Sequence, residues 1–250
     1  MFQYACAYSL AKKHQTIIGI STKDIYRNTG KNQIVETFEL QSATHNEFSE
    51  IQYIFNETGF EYDRRIESVN NNTDLIGYFQ SEKYFKSFRK DLITKEFCFR
   101  PNFIREVEEF QHRHNVIGTT CSIHIRKGDY KSLSDTHTNL DISYYASALE
   151  QIPECSKYLV FSDDREEAAK MMLPISSLGL DNFVYPDLSD SSSMLLMSLC
   201  DHHIIANSSF SWWGAWLSQK KGDVVAPRQW FGTKGPPSWN DVYCETWKVL

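Results

Sequence analysis

The sequence predicts an α/β protein whose second half carries a parallel sheet flanked by helices. Two observations predict it. From Val116 onward, short apolar runs alternate with helix-patterned stretches, one strand and then one helix. Three of those predicted strands end in polar clusters, and in a parallel sheet all three ends open on the same edge. With no internal repeat and no low-complexity linker, the change of rhythm alone sets a boundary near residue 115. The expected organisation is an N-terminal lobe over 1–115 and a C-terminal lobe over 116–250.

Taken in order, Phe2 to Lys13 place apolar or small side chains at near-helical spacing and end in Lys12-Lys13-His14, as a helix C-terminus should. The β-branched run Thr16 to Ile20 reads as a strand, and the polar stretch through Lys31, Asn32 and Gln33 as loop. Helical periodicity returns over Asn46 to Asn56. Asp74 to Gln80 is strand-like, Ser81 is placed to cap a following helix, and Asn102 to His114 reads as another helix. Beyond it, strands are expected at Val116–Ile125, Tyr158–Phe161, Phe183–Tyr185, His203–Ala206 and Val224–Ala226. The intervening helices are Ile142–Gln151, Arg165–Met172, Ser191–Leu199 and Ser211–Ser218, and Pro227, Pro236 and Pro237 mark an irregular tail.

At 250 residues and 29.1 kDa, with 41% hydrophobic residues, the chain can build one large domain or two modest ones. A formal charge of −6 and a pI near 5.8 argue against broad nucleic-acid binding, which needs a basic face, and leave room for a local basic pocket. Cys6, Cys98, Cys121, Cys155, Cys200 and Cys244 are scattered singly, without the paired spacing of a zinc site, and read as reduced thiols of a cytosolic protein. No apolar run approaches the ~20 residues of a membrane span, and the N-terminus lacks a charged region followed by an apolar signal segment. Peripheral contact with a membrane stays open.

The first polar cluster is His124-Ile125-Arg126-Lys127-Gly128-Asp129-Tyr130. Arg126 leaves the carboxyl end of a strand, where its planar fork suits phosphate oxygens; a surface ion pair with Asp129 is the competing reading. The second is Phe161-Ser162-Asp163-Asp164, whose carboxylate can take two N–H bonds from a guanine edge or cap the helix at Arg165. In the third, Asn207-Ser208-Ser209-Phe210-Ser211-Trp212-Trp213-Gly214, small hydroxyl residues precede a helix. That makes either a diphosphate cradle or an N-cap in front of a Trp-rich core helix. Other arrangements are weaker. His202-His203 and His112/His114 lack a carboxylate at metal spacing. There is no Gly-x-Gly-x-x-Gly after a strand, no Gly-Lys-Ser/Thr loop and no Gly-x-Ser-x-Gly elbow.

Four blocks make the chain resemble the bacterial-type α-1,2-fucosyltransferases of glycosyltransferase family 11. They are Met1-Phe2-Gln3-Tyr4-Ala5, Gly77 to Phe85, His124 to Tyr130, and Asn207 to Leu217, in the family's order. The third is the family's His-x-Arg-Arg-Gly-Asp pattern with Lys127 in place of its second arginine. The resemblance implies a GT-B-like fold of two Rossmann-like lobes, the N-terminal one expected to miss its first strand and the Gly-rich loop ending Gly-Asn-Gln. It also implies inverting transfer of fucose from GDP-fucose to the 2-hydroxyl of a galactose-type glycan acceptor, with no cofactor and no metal. Arg126 would hold the diphosphate, His124 orient the nucleotide and Asp163 read guanine. Lys127, Asn207, Ser208, Ser209, Phe210 and Ser211 would line the donor site. Asp129, with Glu82 behind it, is the expected base. The alternative expectation is a GDP-sugar-binding relative with little or no activity.

Overall fold

The structure, a computed structural model, describes residues 1–20, 33–44, 51–128, 138–177, 179–180 and 182–250. The chain divides into two compact units, one of Met1–Arg100 with Pro236–Cys244 and the other of Pro101–Gly235 with Glu245–Leu250. The C-terminal tail, expected to be irregular, thus serves both.

The first unit opens with helix α1, Phe2–His14, whose buried residues include Phe2, Tyr4, Ala5, Cys6, Tyr8, Ser9, Leu10 and Ala11. They cover more than one stripe, so α1 is a core helix and not a surface amphipath. Lys12, Lys13 and His14 complement the negative end of the helix dipole, and Gln15 closes the helix in the left-handed region at φ 54°. Two parallel strand pairs follow. Strand β1 (Ile18–Gly19) pairs with β2 (Ala43–Thr44), with the short helix α2 (Gln33–Thr37) between them. Strand β3 (Tyr53–Asn56) pairs with β4 (Thr73–Ile76) in the register Tyr53 to Thr73 through Asn56 to Ile76. The helix expected over Asn46–Asn56 is therefore corrected at residues 53–56, while 46–50 lie outside the described residues. Tyr53-Ile54-Phe55 are aromatic and β-branched, and the ladder to β4 outweighs their helical spacing.

Strand β4 stops at Ile76, earlier than expected, because the chain turns at Gly77 to Gln80 with Phe79 at φ 52°. Ser81 caps a 3₁₀ turn over Glu82–Tyr84, accepting from Lys83 N at 3.3 Å, and short helical turns continue to Glu96. Glu96 is buried. Its oxygens accept from Tyr4 Oη (2.5 Å), Ser42 Oγ (2.5 Å), Gln41 N (3.0 Å) and Ser42 N (3.2 Å). Four donors around one carboxylate offset the several kcal/mol that burying an unpaired charge costs. Burial, and then the bond to Glu96, push the Tyr4 hydroxyl far above its ordinary value. Phe38, Phe97 and Phe99 pack beside it, with ring centroids 5.1 and 4.7 Å from Phe38.

The second unit begins with helix α3, Pro101–Arg113, with proline at the first helical position, where its missing N–H is harmless. Its strands are β5 (Thr120–Ile125), β6 (Lys157–Ser162), β7 (Phe183–Val184), β8 (His202–Ile204), β9 (Val224–Ala226) and β10 (Lys248–Val249). They form one sheet in the order β10-β9-β8-β5-β6-β7, every pairing parallel. Helices α4 (Ile142–Leu149), α5 (Arg165–Ser176), α6 (Asp190–Leu199) and α7 (Ser209–Leu217) supply the crossovers. Helix α5 runs past its expected end at Met172 to Ser176, with Pro174, which has no N–H to donate, in its last turn. Strand β10 was not expected; two residues pairing with β9 carry no periodic signal of their own.

Strand β5 is buried along its whole length. Cys121, Ile123 and Ile125 join a core with Tyr145, Ala148, Ala168, Met172, Val160 and Val225. The alternate side chains Ser122 and His124 point to the other face, and each has a partner there. Ser122 Oγ and His203 Nδ1 are 2.8 Å apart. All six cysteines are free, and burial lifts Cys155 to about 11 and Cys200 to about 12, which keeps these thiols unreactive at neutral pH. Among the described residues no helix is long and apolar enough to cross a membrane.

Burial lowers His203 to about 3 and His124 to about 4 from 6.5, so both stay neutral in the fold while the unfolded chain takes up their protons. Stability is then full above about pH 6.5 and falls with pH toward 4, by roughly 2 kcal/mol per histidine at about pH 5. Urea midpoints measured from about pH 7.5 down to pH 5 should show this drop, and His203→Asn should shallow it. A flat profile in the unmutated chain would rule out two buried neutral imidazoles.

Candidate functional site

The strand order of the second unit contains a topological switch. From β5 the chain moves outward through β6 and β7, and then returns to build β8, β9 and β10 on the other side of β5. In open α/β sheets, ligands bind beyond the carboxyl ends of the strands at such a switch. Arg126 leaves β5 at that edge. Residues Asn207 to Ser211 follow β8, the strand beside it.

Two groups of predicted residues are brought together there. In the first, His124, buried at 3% exposure, shares a hydrogen bond of 2.9 Å between its Nδ1 and Ser211 Oγ. The Phe210 ring lies 5.6 Å from the imidazole. Burial first and the neighbouring Arg126 charge second lower the imidazole to about 4, while Asp163 acts in the opposite direction. His124 is therefore a neutral group able to donate or accept one hydrogen bond, and not a second cation beside Arg126.

The second group is held by Asp163. Its carboxylate accepts from Lys127 N and Gly128 N, both at 3.0 Å, and pairs with Arg126 Nε at 3.2 Å. Glycine is required at the closest approach, since a Cβ at Gly128 would stand 2.6 Å from Asp163 Oδ2. The two readings of Ser162-Asp163-Asp164 are thereby separated. Asp164 is the N-cap of α5, accepting from Glu167 N at 3.1 Å, and Asp163 is free of that task. The Arg126 side chain, 30% exposed, has its ion pair with Asp163. Asp129, the other partner considered for it and the expected base, lies outside the described residues.

Other predicted residues carry structure as well as position. Lys127 Nζ donates to Leu140 O at 2.8 Å. Asn207, 2% exposed, donates its amide to Thr138 O (3.0 Å) and Trp230 O (2.9 Å), fixing two connecting segments below the switch edge. Ser208 caps α7, accepting from Phe210 N at 3.3 Å. Behind the cap, Trp212 packs on Trp213, Trp216 and Trp247, with centroids 5.0, 6.0 and 5.5 Å away. Cap and core helix are both present, so the hydroxyl-rich start and the Trp-rich body are one device. Ser209 is exposed at the first turn, next to half-buried Phe210. A guanidinium, a neutral imidazole and the opening N–H groups of a helix, gathered at a strand edge, suit an oxyanion carried on a heterocycle.

Sequence reasoning missed Tyr145 and Tyr144. Buried Tyr145 donates its hydroxyl to His124 O at 3.0 Å, and Tyr144 donates to Ile205 O (2.7 Å) and Val225 O (3.1 Å). They tie α4 to the ends of three strands. Nothing in the sequence around Tyr144-Tyr145 distinguishes them from ordinary core aromatics. Among the described residues no group of three His, Cys, Asp or Glu side chains is arranged to hold a metal ion.

The fold is of the GT-B-like class, as superposition on solved fucosyltransferases shows. NodZ α-1,6-fucosyltransferase soaked with GDP-fucose superposes with a TM-score of 0.56 at 13% identity, over 87% of each chain. Fucosyltransferase NodZ from Bradyrhizobium gives 0.51 at 14% identity, over 87% of this chain and 88% of its own. The chain belongs to glycosyl transferase family 11, whose family model matches residues 5–250. An alpha-1,2-colitosyltransferase of Escherichia coli is 34% identical over 181 residues, 68% of this chain and 61% of that protein. The O-antigen biosynthesis glycosyltransferase WbnK of Escherichia coli is 34% identical over 173 residues, 65% of this chain and 57% of its own length. The matched part of the chain thus spans less than two thirds of either relative.

Removing the Asp163 carboxylate should loosen the loop after β5 without unfolding the sheet. Asp163→Ala is expected to raise the rate of tryptic cleavage after Arg126 and Lys127 roughly tenfold or more, from loss of two backbone bonds and an ion pair. The thermal midpoint should hardly move. Unchanged cleavage would show that the loop is held by something other than Asp163.

Proposed function

We propose that the chain is an inverting, metal-independent transferase that moves fucose from GDP-fucose to the 2-hydroxyl of a galactose-type acceptor in surface-glycan synthesis. The single observation that carries this reading is Arg126 at the carboxyl end of β5, paired with Asp163, two residues after His124, which is bonded to Ser211 in the first turn of α7. Support comes from the family, from relatives whose names denote an α-1,2 linkage and O-antigen biosynthesis, and from a fucosyltransferase of similar fold whose crystals were soaked with GDP-fucose.

In this reading Arg126 stabilises the negative charge that grows on the departing diphosphate, the electrostatic share of catalysis. Asp163 acts as its positioning residue. With three of its acceptor directions already turned to Lys127 N, Gly128 N and Arg126 Nε, little of its carboxylate is left for a guanine edge. Neutral His124, steadied by Ser211 and Tyr145, orients the nucleotide, and Ser209 with the opening N–H groups of α7 receives phosphate oxygens. The acceptor hydroxyl then attacks the anomeric carbon from the face opposite GDP, its proton passing to a base for which Asp129 is proposed. The bond from the anomeric carbon to the diphosphate oxygen breaks as the new glycosidic bond forms. One second reading has a specific observation behind it: the colitosyltransferase relative favours a colitosyl donor at the same site.

Release of GDP from GDP-fucose should proceed in the presence of EDTA when a β-galactoside is supplied. Arg126→Ala should lower kcat by roughly 10²–10³, the size of losing one charge-stabilising donor. Full turnover in that variant removes Arg126 from the mechanism. Turnover with a colitosyl donor and none with GDP-fucose would select the second reading.

A further inference from the structure

Of the three serines that open α7, Ser211 is the most deeply buried, and its hydroxyl has a choice of acceptors. Its Oγ lies 2.9 Å from His124 Nδ1 and 3.4 Å from both Ala206 O and Ser208 O. A serine hydroxyl carries one proton and so makes one donor bond. Hydroxyl donors sit about 2.5–3.0 Å from an acceptor oxygen, so both carbonyls are too far to hold that proton. It lies along the short line to His124.

That direction decides the state of the imidazole. A neutral histidine has one N–H, and the ring nitrogen that accepts from a hydroxyl is the unprotonated one. With Nδ1 accepting from Ser211, the proton is on Nε2. Burial, and then the neighbouring Arg126 charge, lower His124 to about 4, which keeps a second proton off Nδ1 at neutral pH. Among the described residues His124 Nε2 makes no hydrogen bond. A buried N–H without a partner is destabilising, and a ligand that accepts from it removes that cost. A carboxylate or a carbonyl in the place of Ser211 would have the reverse effect. It would take an N–H from Nδ1 and leave on Nε2 a lone pair that repels an oxyanion.

We infer that Ser211 is a positioning residue, which fixes His124 in the Nε2–H tautomer so that the imidazole offers an N–H to an oxygen of the anionic ligand met by Arg126. Ser211 does not itself touch that ligand, because its one proton is spent inside the protein. The inference deepens the transferase reading and rests on it for naming the anion as the diphosphate of GDP. A neutral N–H beside a guanidinium adds a directed bond without a second charge for the arginine to repel. The same sheet supplies a control. Ser122 Oγ and His203 Nδ1 form an equally short pair, 2.8 Å, between the middles of β5 and β8, where His203 Nε2 is enclosed without a partner. That pair is away from the strand ends and serves packing alone.

Long-range proton–nitrogen correlation spectra of the full chain read the tautomer directly. The His124 ring, identified by its absence in His124→Gln, should show an unprotonated nitrogen at Nδ1 and an N–H at Nε2 at neutral pH. A proton on Nδ1 in the unmutated chain overturns the inference, however the variants fold. Ser211→Ala should release the ring into a mixture of both forms and weaken GDP binding roughly tenfold, the worth of one hydrogen bond to a charged oxygen. Ser122→Ala, which removes the other Ser–His bond, should leave the His124 signals and the GDP affinity unchanged. Equal weakening in the two variants would trace the loss to packing and overturn the positioning role. If the unmutated chain binds no GDP, the transferase reading fails while the tautomer, read from the ring nitrogens, stands.

Discussion

The second unit depends on β5 being buried on both faces and paired on both edges. A strand in that position has no water to satisfy its polar groups, so Ser122 and His124 are tolerated only because His203 and Ser211 meet them. The same burial decides where chemistry can occur. Charge cannot enter the strand, and the first residue able to carry it is Arg126, one step past Ile125. Because β6 and β8 flank β5 in parallel, the residues after all three strands emerge on one edge. The site follows from sheet order and strand length, before any ligand is considered.

Arg126 itself is restrained. A guanidinium on an exposed loop gains little from a surface ion pair and samples many rotamers. Asp163 changes this by taking the two backbone N–H groups that follow Arg126 as well as its Nε, so backbone and side chain are restrained by the same carboxylate. Tyr145 holds the carbonyl of His124 from the other side. The loop is thus pinned before and after the arginine, and orienting it for an incoming anion requires little further ordering.

Periodicity made the second unit legible. All four helices between its strands and five of its six strands fall where alternating patterns put them, because buried parallel strands and their covering helices leave strong local signals. The three polar clusters were also visible as residue types at strand ends. Their division of labour was not. Asp163 and Asp164 are neighbours of identical chemistry, and only the path of the loop after β5 makes one an anchor and the other a cap. Asn207 looks like a donor-site residue, yet its amide bonds residues 69 positions before and 23 after it, contacts that leave no trace in local sequence. In the first unit β3 was hidden for a related reason: its four residues gain their ladder from β4, beyond a 16-residue connection.

One device recurs in both units. Glu57 takes the backbone N–H groups of Tyr78 and Phe79, and Asp163 takes those of Lys127 and Gly128. In each case a glycine permits the approach, Gly77 beneath Glu57 and Gly128 beneath Asp163, and in each case the turn so fixed presents a side chain that stays partly exposed, Tyr78 or Arg126. Backbone amides bound by a carboxylate are charge-assisted and stronger than neutral hydrogen bonds, so they can stabilise turns that propensity alone would not hold. Glu96 shows the same device applied without display, binding Gln41 N and Ser42 N inside the aromatic core. The three carboxylates therefore differ in what the restrained turn presents, because each bonds two backbone N–H groups in the same way.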